Sequence, residues 1–273
     1  MARRLVVITG ASSGIGAAFA RVFARKGWDL ALVARREDRL NDLAEEMKAQ
    51  FGVNSLVIAA DLSKATAPQE IVKAVTDAGR QIDGLVNNAG AGQPGEFAET
   101  KWTDQKRFLQ LMLNSYLELI HLVLPGMRER GFGRIVNVSS VSALLPPSPG
   151  HTKYSGTIYP GIKSALIKVS EALRIEGQDR NVNVSAVVPG YTMSEFHDVN
   201  GARATVSKLP SYWFSTAEEV ATAGYDAVDR NVPVRVVGTW YKFMSGLARV
   251  LPDPAMRWLI ASQTRRMAKS ASN

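Results

Sequence analysis

Seven short apolar runs, separated by longer amphipathic stretches, constrain the fold of this chain more than any other feature of its sequence. They cover residues 5–9, 30–34, 55–59, 84–86, 134–138, 183–188 and 234–237. Most are apolar throughout rather than alternating, the pattern of strands buried on both faces. Between them, helical periodicity runs over 14–26, 37–51, 68–78, 103–130, 162–179 and 216–229. Strict strand–helix alternation predicts an α/β chain, a doubly wound parallel β-sheet of about seven strands with helices on both faces. A length of 273 residues, 46% of them hydrophobic, suits one large domain, and no repeat or linker interrupts it. Such sheets bind ligands at the carboxyl ends of their strands.

Composition narrows the classes of function. The chain has no cysteine, which excludes disulfides, zinc–thiolate sites and cysteine nucleophiles. His121, His151 and His197 are scattered without metal-ligand spacing, and no metal is expected. The four apolar residues Leu5-Val-Val-Ile8 are too few for a signal peptide and read as a first strand. No window approaches the roughly 20 apolar residues needed to span a bilayer, so a soluble, cytoplasmic protein is expected. The net charge of +8 raises nucleic acid as a partner. Five of those charges, however, lie in residues 238–273, where Lys242, Arg249, Arg257, Arg265, Arg266 and Lys269 face one acid, Asp253. No nucleic-acid motif accompanies them, and no nucleic acid is expected. The segment 239–273 reads as a solvated or partner-facing basic extension. Trp240, Tyr241, Phe243 and Trp258, interleaved with its cations, make peripheral membrane contact the alternative.

Directly after the first run comes Thr9-Gly10-Ala11-Ser12-Ser13-Gly14-Ile15-Gly16, leading into a helix. A strand-to-helix turn of this kind aims backbone N–H groups and the positive helix end at a phosphate. Glycine is needed where the chain turns tightly, nears the ligand, or brings helix against strand. A purely structural turn would explain the glycines alone; together with the strand before and the helix after, they predict a bound dinucleotide. The turn resembles that of the short-chain dehydrogenase/reductase family in its short single-domain form. The resemblance runs from about residue 5 to 238. Asp61-Leu62, Asn87-Asn88-Ala89-Gly90 and Pro189-Gly190, after the third, fourth and sixth runs, share it.

That resemblance implies a Rossmann-like catalytic domain over 1–238, with a substrate lid at about 191–216. It brings Gly10, Ser12, Ser13, Gly14, Ile15 and Gly16 to the cofactor. Asp61 and Leu62 would face the adenine, and Asn88, Ala89 and Gly90 the ribose, while stabilising the central strand. Pro189, Gly190 and the backbone of Thr192, with Ser194 nearby, would meet the nicotinamide end. Where similar NAD enzymes carry an aspartate for the ribose 2′-OH, this chain has Ala34, followed by Arg35 and Arg36. Both arginines could be ordinary surface charges, but a guanidinium clamps phosphate with two N–H groups. NADP(H) is expected over NAD(H).

Hydride transfer to a carbonyl needs a proton donor and something that eases a phenol's ionisation. Tyr159-Pro-Gly-Ile-Lys163 puts a tyrosine and a lysine on one helix face. In the resemblance Tyr159 is the acid/base, Lys163 its electrostatic activator and ribose clamp, and Ser140 the donor to the substrate oxygen. Two details depart from the family. Tyr154 stands at the usual distance from Ser140 but has Ile158 four residues on, while Tyr159 has its lysine after an apparent insertion of about five residues. A phenol without a neighbouring cation is a poor acid, so Tyr159 is preferred and Tyr154 is assigned to the lid or pocket. The relay asparagine of the family aligns with Met112, and Asn114 lies two residues on. Either a local irregularity restores Asn114 or the relay is absent.

The sequence thus predicts an NADP(H)-dependent oxidoreductase that interconverts a carbonyl and an alcohol. Tyr191, Phe196, Tyr212, Trp213 and Phe214 suggest an apolar or aromatic small-molecule substrate, with His197 a further lid residue, although these rings could simply pack the lid. A homodimer or homotetramer is expected. The alternative is a cofactor-binding regulator or scaffold with little catalysis.

Overall fold

The computed structural model describes residues 3–92, 96–146, 157–192 and 211–271, with side chains at 211 and 263–271 left aside. Every apolar run forms a strand: β1 (Leu5–Thr9), β2 (Asp29–Ala34), β3 (Ser55–Ala59), β4 (Gly84–Asn87), β5 (Gly133–Val138), β6 (Val182–Val188) and, as the last, β9 (Val234–Val236). They make one seven-stranded sheet in the order β3-β2-β1-β4-β5-β6-β9. All six pairings are parallel. A separate two-residue parallel pair joins β7 (Tyr191–Thr192) to β8 (Phe214–Ser215). The winding direction reverses between β1 and β4, and that reversal opens a crevice at the strands' carboxyl ends.

The connecting helices are α1 (Gly14–Arg25), α2 (Glu37–Phe51), α3 (Ala67–Asp77), α4 (Trp102–Leu109), α5 (Ser115–Glu129), α6 (Tyr159–Gly177) and α7 (Ala217–Asp229). After the sheet come α8 (Thr239–Leu247) and α9 (Asp253–Ala271). Because parallel strands are covered on both sides, alternate side chains of one strand enter opposite cores. Val6 and Ile8 of β1 pack with Phe19 and Phe23 of α1, Leu40 of α2 and Val220 of α7. Leu5 and Val7 pack with Ile71 of α3 and with Leu119, Ile120 and Val123 of α5.

The helix read over 103–130 is continuous but irregular. A π-helical turn over Gln110–Asn114 separates α4 from α5. The whole run Trp102–Glu129 is long and apolar enough to cross a membrane by length and composition, which corrects the sequence reading that no window came near. Here its apolar face, including Tyr116, Leu119, Ile120, Val123 and Met127, is buried.

Candidate active site

The glycine turn has the local geometry its residues require. Gly10 and Gly14 adopt φ of +67° and +55°, the left-handed region that side chains disfavour. A Cβ on Gly16 would stand 2.2 Å from the Gly10 carbonyl oxygen. Thr9 and Asn88 bind the turn to the loop after β4. The Thr9 hydroxyl accepts from the N–H groups of Asn88 at 2.9 Å and Ala89 at 3.1 Å. Asn88 Nδ2 donates to the carbonyls of Thr9 at 2.9 Å and Gly10 at 3.3 Å. Together these four bonds hold the glycine turn against the loop after β4.

Helix α1 carries no acidic residue in its first turn, and Ser13 makes no side-chain cap. Its leading N–H groups, including those of Gly14, Ile15 and Gly16, are thus free of an internal anion. Arg36 reaches back across the turn, donating to Ser12 Oγ and Ser13 Oγ, each at 3.1 Å. The result is a cradle of N–H groups, hydroxyls and a guanidinium, whose chemistry fits a phosphorylated dinucleotide. Arg35 is exposed beside Asp61. Burial pushes the Asp61 carboxyl up, but hydrogen bonds from Ser63 and the guanidiniums of Arg107 and Arg35 outweigh it and hold it low. Leu62 is 4% exposed and packs into the core with Ala67 and Ile71, so its backbone is the part left to meet a ligand.

Ser140, Tyr159 and Lys163 come together at the end of β5. Ser140 Oγ accepts from the Ser142 N–H at 3.2 Å and the Ser142 hydroxyl at 3.1 Å. Tyr159 begins α6, with Pro160 in the first turn where its missing N–H costs nothing. Burial pushes the Tyr159 phenol up to about 12, and its hydrogen bond with Ser140 acts the other way. Lys163 is buried, and its Nζ donates to the Val138 carbonyl at 2.8 Å. Burial draws its ammonium down to about 7. Ser139 braces the helix by donating to the Lys163 carbonyl at 2.8 Å.

The π turn supplies the irregularity that could have restored Asn114, yet Asn114 remains exposed and donates to Gln110 Oε1 at 3.2 Å. Met112 is buried instead, its sulfur accepting from the Ala91 N–H at 3.4 Å. Sequence reasoning missed three groups. Ser142 orients Ser140. Asn87, Asn137 and Ser170 form a buried chain, with Asn87 Nδ2 to Asn137 Oδ1 at 3.0 Å and Asn137 Nδ2 to Ser170 Oγ at 2.9 Å. Tyr116 lies against Lys163, its ring centroid 5.5 Å from Nζ. Their sequence signal was weak because polar residues inside strands and helices look like solvent-facing ones until the partners are known.

Beyond the carboxyl end of β6, Thr192 is buried, with its hydroxyl donating to the Gly190 carbonyl at 3.3 Å, and the Pro189 carbonyl accepts from the Val141 N–H. The Tyr191 and Phe214 rings meet at 6.1 Å. Trp213 stacks on Trp240 of α8 at 5.9 Å and 17°. Tyr154, His151, Ser194, Phe196 and His197 lie outside the described residues.

Known proteins share this architecture. The family model for short chain dehydrogenases matches residues 4–203. A sulfoacetaldehyde reductase from Chromohalobacter salexigens is 35% identical over 196 residues, which is 70% of this chain and 74% of that protein. A short-chain dehydrogenase from Sphingobium yanoikuyae, solved with NADPH, is 31% identical with a TM-score of 0.76, covering 90% of this chain and 94% of that one. An alcohol dehydrogenase from Comamonas testosteroni, specific for bulky-bulky ketones, is 28% identical with a TM-score of 0.72, covering 91% and 95%. With its seven-stranded parallel sheet, its glycine turn and these likenesses, the chain belongs to the short-chain dehydrogenase/reductase family of oxidoreductases.

Proposed function

We propose that this chain is an NADP(H)-dependent oxidoreductase interconverting a carbonyl and an alcohol, with Tyr159 as its acid/base. The observation that carries the reading is the convergence of Ser140, Tyr159 and Lys163 at the carboxyl end of β5. A bound nicotinamide would supply or accept the hydride. Gly10, Ser12, Ser13, Gly14, Ile15 and Gly16 would hold its phosphates, and Arg36, with Arg35 beside it, the ribose 2′-phosphate. Ser140 donates a hydrogen bond to the substrate oxygen and orients it. In reduction, the Tyr159 hydroxyl gives its proton to the developing alkoxide. The Lys163 ammonium stabilises the phenolate left behind; in oxidation the proton runs the other way. A phenol near 12 is fully protonated at neutral pH, so it needs that cation to act as an acid.

The aromatic rings of Tyr191, Phe214, Trp213 and Trp240 favour an apolar or aromatic substrate, consistent with a relative that acts on bulky ketones. A homodimer or homotetramer belongs to the same reading. Trp102 on α4 and Ile175 on α6, 60% and 69% exposed, support association through those helices.

A second reading, a cofactor-binding regulator or scaffold with little catalysis, draws on Asn114 being at the surface while Met112 fills the relay position. One experiment separates them. NADPH and NADH oxidation is followed with a panel of ketones and aldehydes, for the native chain and for Tyr159→Phe. The first reading expects NADPH-linked turnover that falls at least about 100-fold in the variant. Absence of turnover with every carbonyl, or full activity in Tyr159→Phe, would sink it.

A further inference from the structure

The ammonium of Lys163 carries three N–H donors, and burial removes the water that would ordinarily satisfy them. One described bond goes to the Val138 carbonyl. Two aromatic faces stand on other sides: Nζ lies 5.5 Å from the ring centroid of Tyr116 and 5.7 Å from that of Tyr159. Both distances fall within the roughly 6 Å range over which a cation is attracted to a ring face. Tyr159 is on the lysine's own helix, whereas Tyr116 arrives from α5.

Tyr116 is held on every side. Its side chain is fully buried, and its hydroxyl donates to the Ala89 carbonyl at 2.7 Å. Its own carbonyl accepts from Asn87 Nδ2 at 3.3 Å. It stands two residues beyond the π turn, the kind of irregularity that re-aims side chains at functional sites. Asn114 faces outward, and the next two residues, Ser115 and Tyr116, are buried.

We propose that Tyr116 is a positioning residue for the Tyr159–Lys163 pair, its ring face holding the Lys163 ammonium and its hydroxyl fixing the Ala89 carbonyl in the loop after β4. One side chain thereby connects the lysine to the segment expected to meet the cofactor ribose. The proposal rests on Lys163 acting as described above, but it concerns a property of the lysine that can be read without any reaction. Among the described residues, the titratable groups facing the ammonium are Tyr159 from α6 and Tyr116 from α5; β5 presents the Val138 carbonyl. Burial, and to a lesser degree Tyr159, pushes the Tyr116 phenol up, so it stays a neutral donor to Ala89. Its ring favours the charged lysine and opposes the desolvation that draws Lys163 down.

The test uses cofactor-free full-length protein with 13Cε-labelled lysine, the Lys163 signal being assigned by its loss in Lys163→Met. The wild-type signal should titrate near pH 7. Tyr116→Phe keeps the ring and should leave that midpoint in place. Tyr116→Leu removes the ring and should lower it by about half to one pH unit. Tyr116→Met, which refills the space without a ring, carries the same expectation should the leucine variant not fold. In turnover assays Tyr116→Phe should raise the KM for NADPH roughly three- to tenfold with kcat nearly unchanged, because only the tie to Ala89 is lost. A wild-type midpoint in the ringless variants, or an equal shift in Tyr116→Phe, overturns the proposal. A midpoint that moves as expected in a chain that turns over no carbonyl upholds the positioning role and refutes the assigned reaction.

Discussion

At Lys163 the cost of burying a charge and the use of that charge meet in one side chain. Burial lowers its pKa from the ordinary value of 10.5 to about 7. Between those values the unfolded chain holds the proton and the native chain does not, so raising the pH favours the native state. The penalty is full below about pH 7 and fades as the pH climbs towards 10.5. Lys163→Met should therefore be more stable than wild type at pH 6, by on the order of a few kcal/mol. Denaturant melts across the pH range should show that gap closing on the alkaline side; a gap independent of pH would refute the linkage. The proposed preference for NADP(H) rests on Arg36, which spans Ser12 and Ser13. Arg36→Ala should weaken NADPH binding roughly 10- to 100-fold, the contribution of a charge-assisted bond, and leave NADH nearly unchanged. Fluorescence titration with both cofactors decides it, and an equal loss for the two would remove Arg36 from the 2′-phosphate.

Among elements, the contact between the loop after β6 and helix α8 is tighter than either sequence suggests alone. The Tyr241 ring lies where a Gly190 side chain would be: an added Cβ would stand 1.8 Å from it. Tyr241 is itself buried, and the Tyr191 N–H approaches its hydroxyl at 3.4 Å. Gly190→Ala must displace the Tyr241 ring or α8, which carries it. We expect a loss of about 1–3 kcal/mol, the usual range for overpacking, seen as a lower Tm. A wild-type Tm would mean that the tyrosine simply rotates aside. The π turn between α4 and α5 was not readable from periodicity. Apolar residues recur at helical spacing through it, and only the three-dimensional path shows Asn114 outside and Tyr116 inside.

For the whole molecule, helices α8 and α9 are part of the packing rather than a tail. Tyr241, Met244 and Met256 are 5%, 3% and 1% exposed. Burying side chains of this size contributes about 1.5–3 kcal/mol each, and a domain's net stability is only about 5–15 kcal/mol. A chain ending at residue 238 should therefore be marginal or unfolded. One ending at residue 250, which keeps Tyr241 and Met244, should melt cooperatively at a lower temperature than the full chain. Circular dichroism melts of both truncations test this, and a 1–238 fragment as stable as the full chain would contradict it. The basic charge that set this region apart in the sequence says nothing about its packing. Among the described side chains, Lys242 and Arg257 are exposed next to the buried Tyr241 and Met256, as on any amphipathic helix.

What the sequence alone determined was whatever depends on local pattern. Continuous apolar runs made buried parallel strands, their alternation with helices made the doubly wound sheet, and the spacing of Gly10, Gly14 and Gly16 made a phosphate-ready turn. The pairing of Tyr159 with Lys163 was likewise legible, because four residues make one helical turn. Tertiary structure alone decided the contacts between residues far apart in the chain: Arg36 over Ser12 and Ser13, Asn88 bridging to Gly10, Tyr116 against Lys163, and Tyr241 filling the space at Gly190. Each depends on how two elements meet in space, and side-chain periodicity carries no information about which face of a distant helix will arrive.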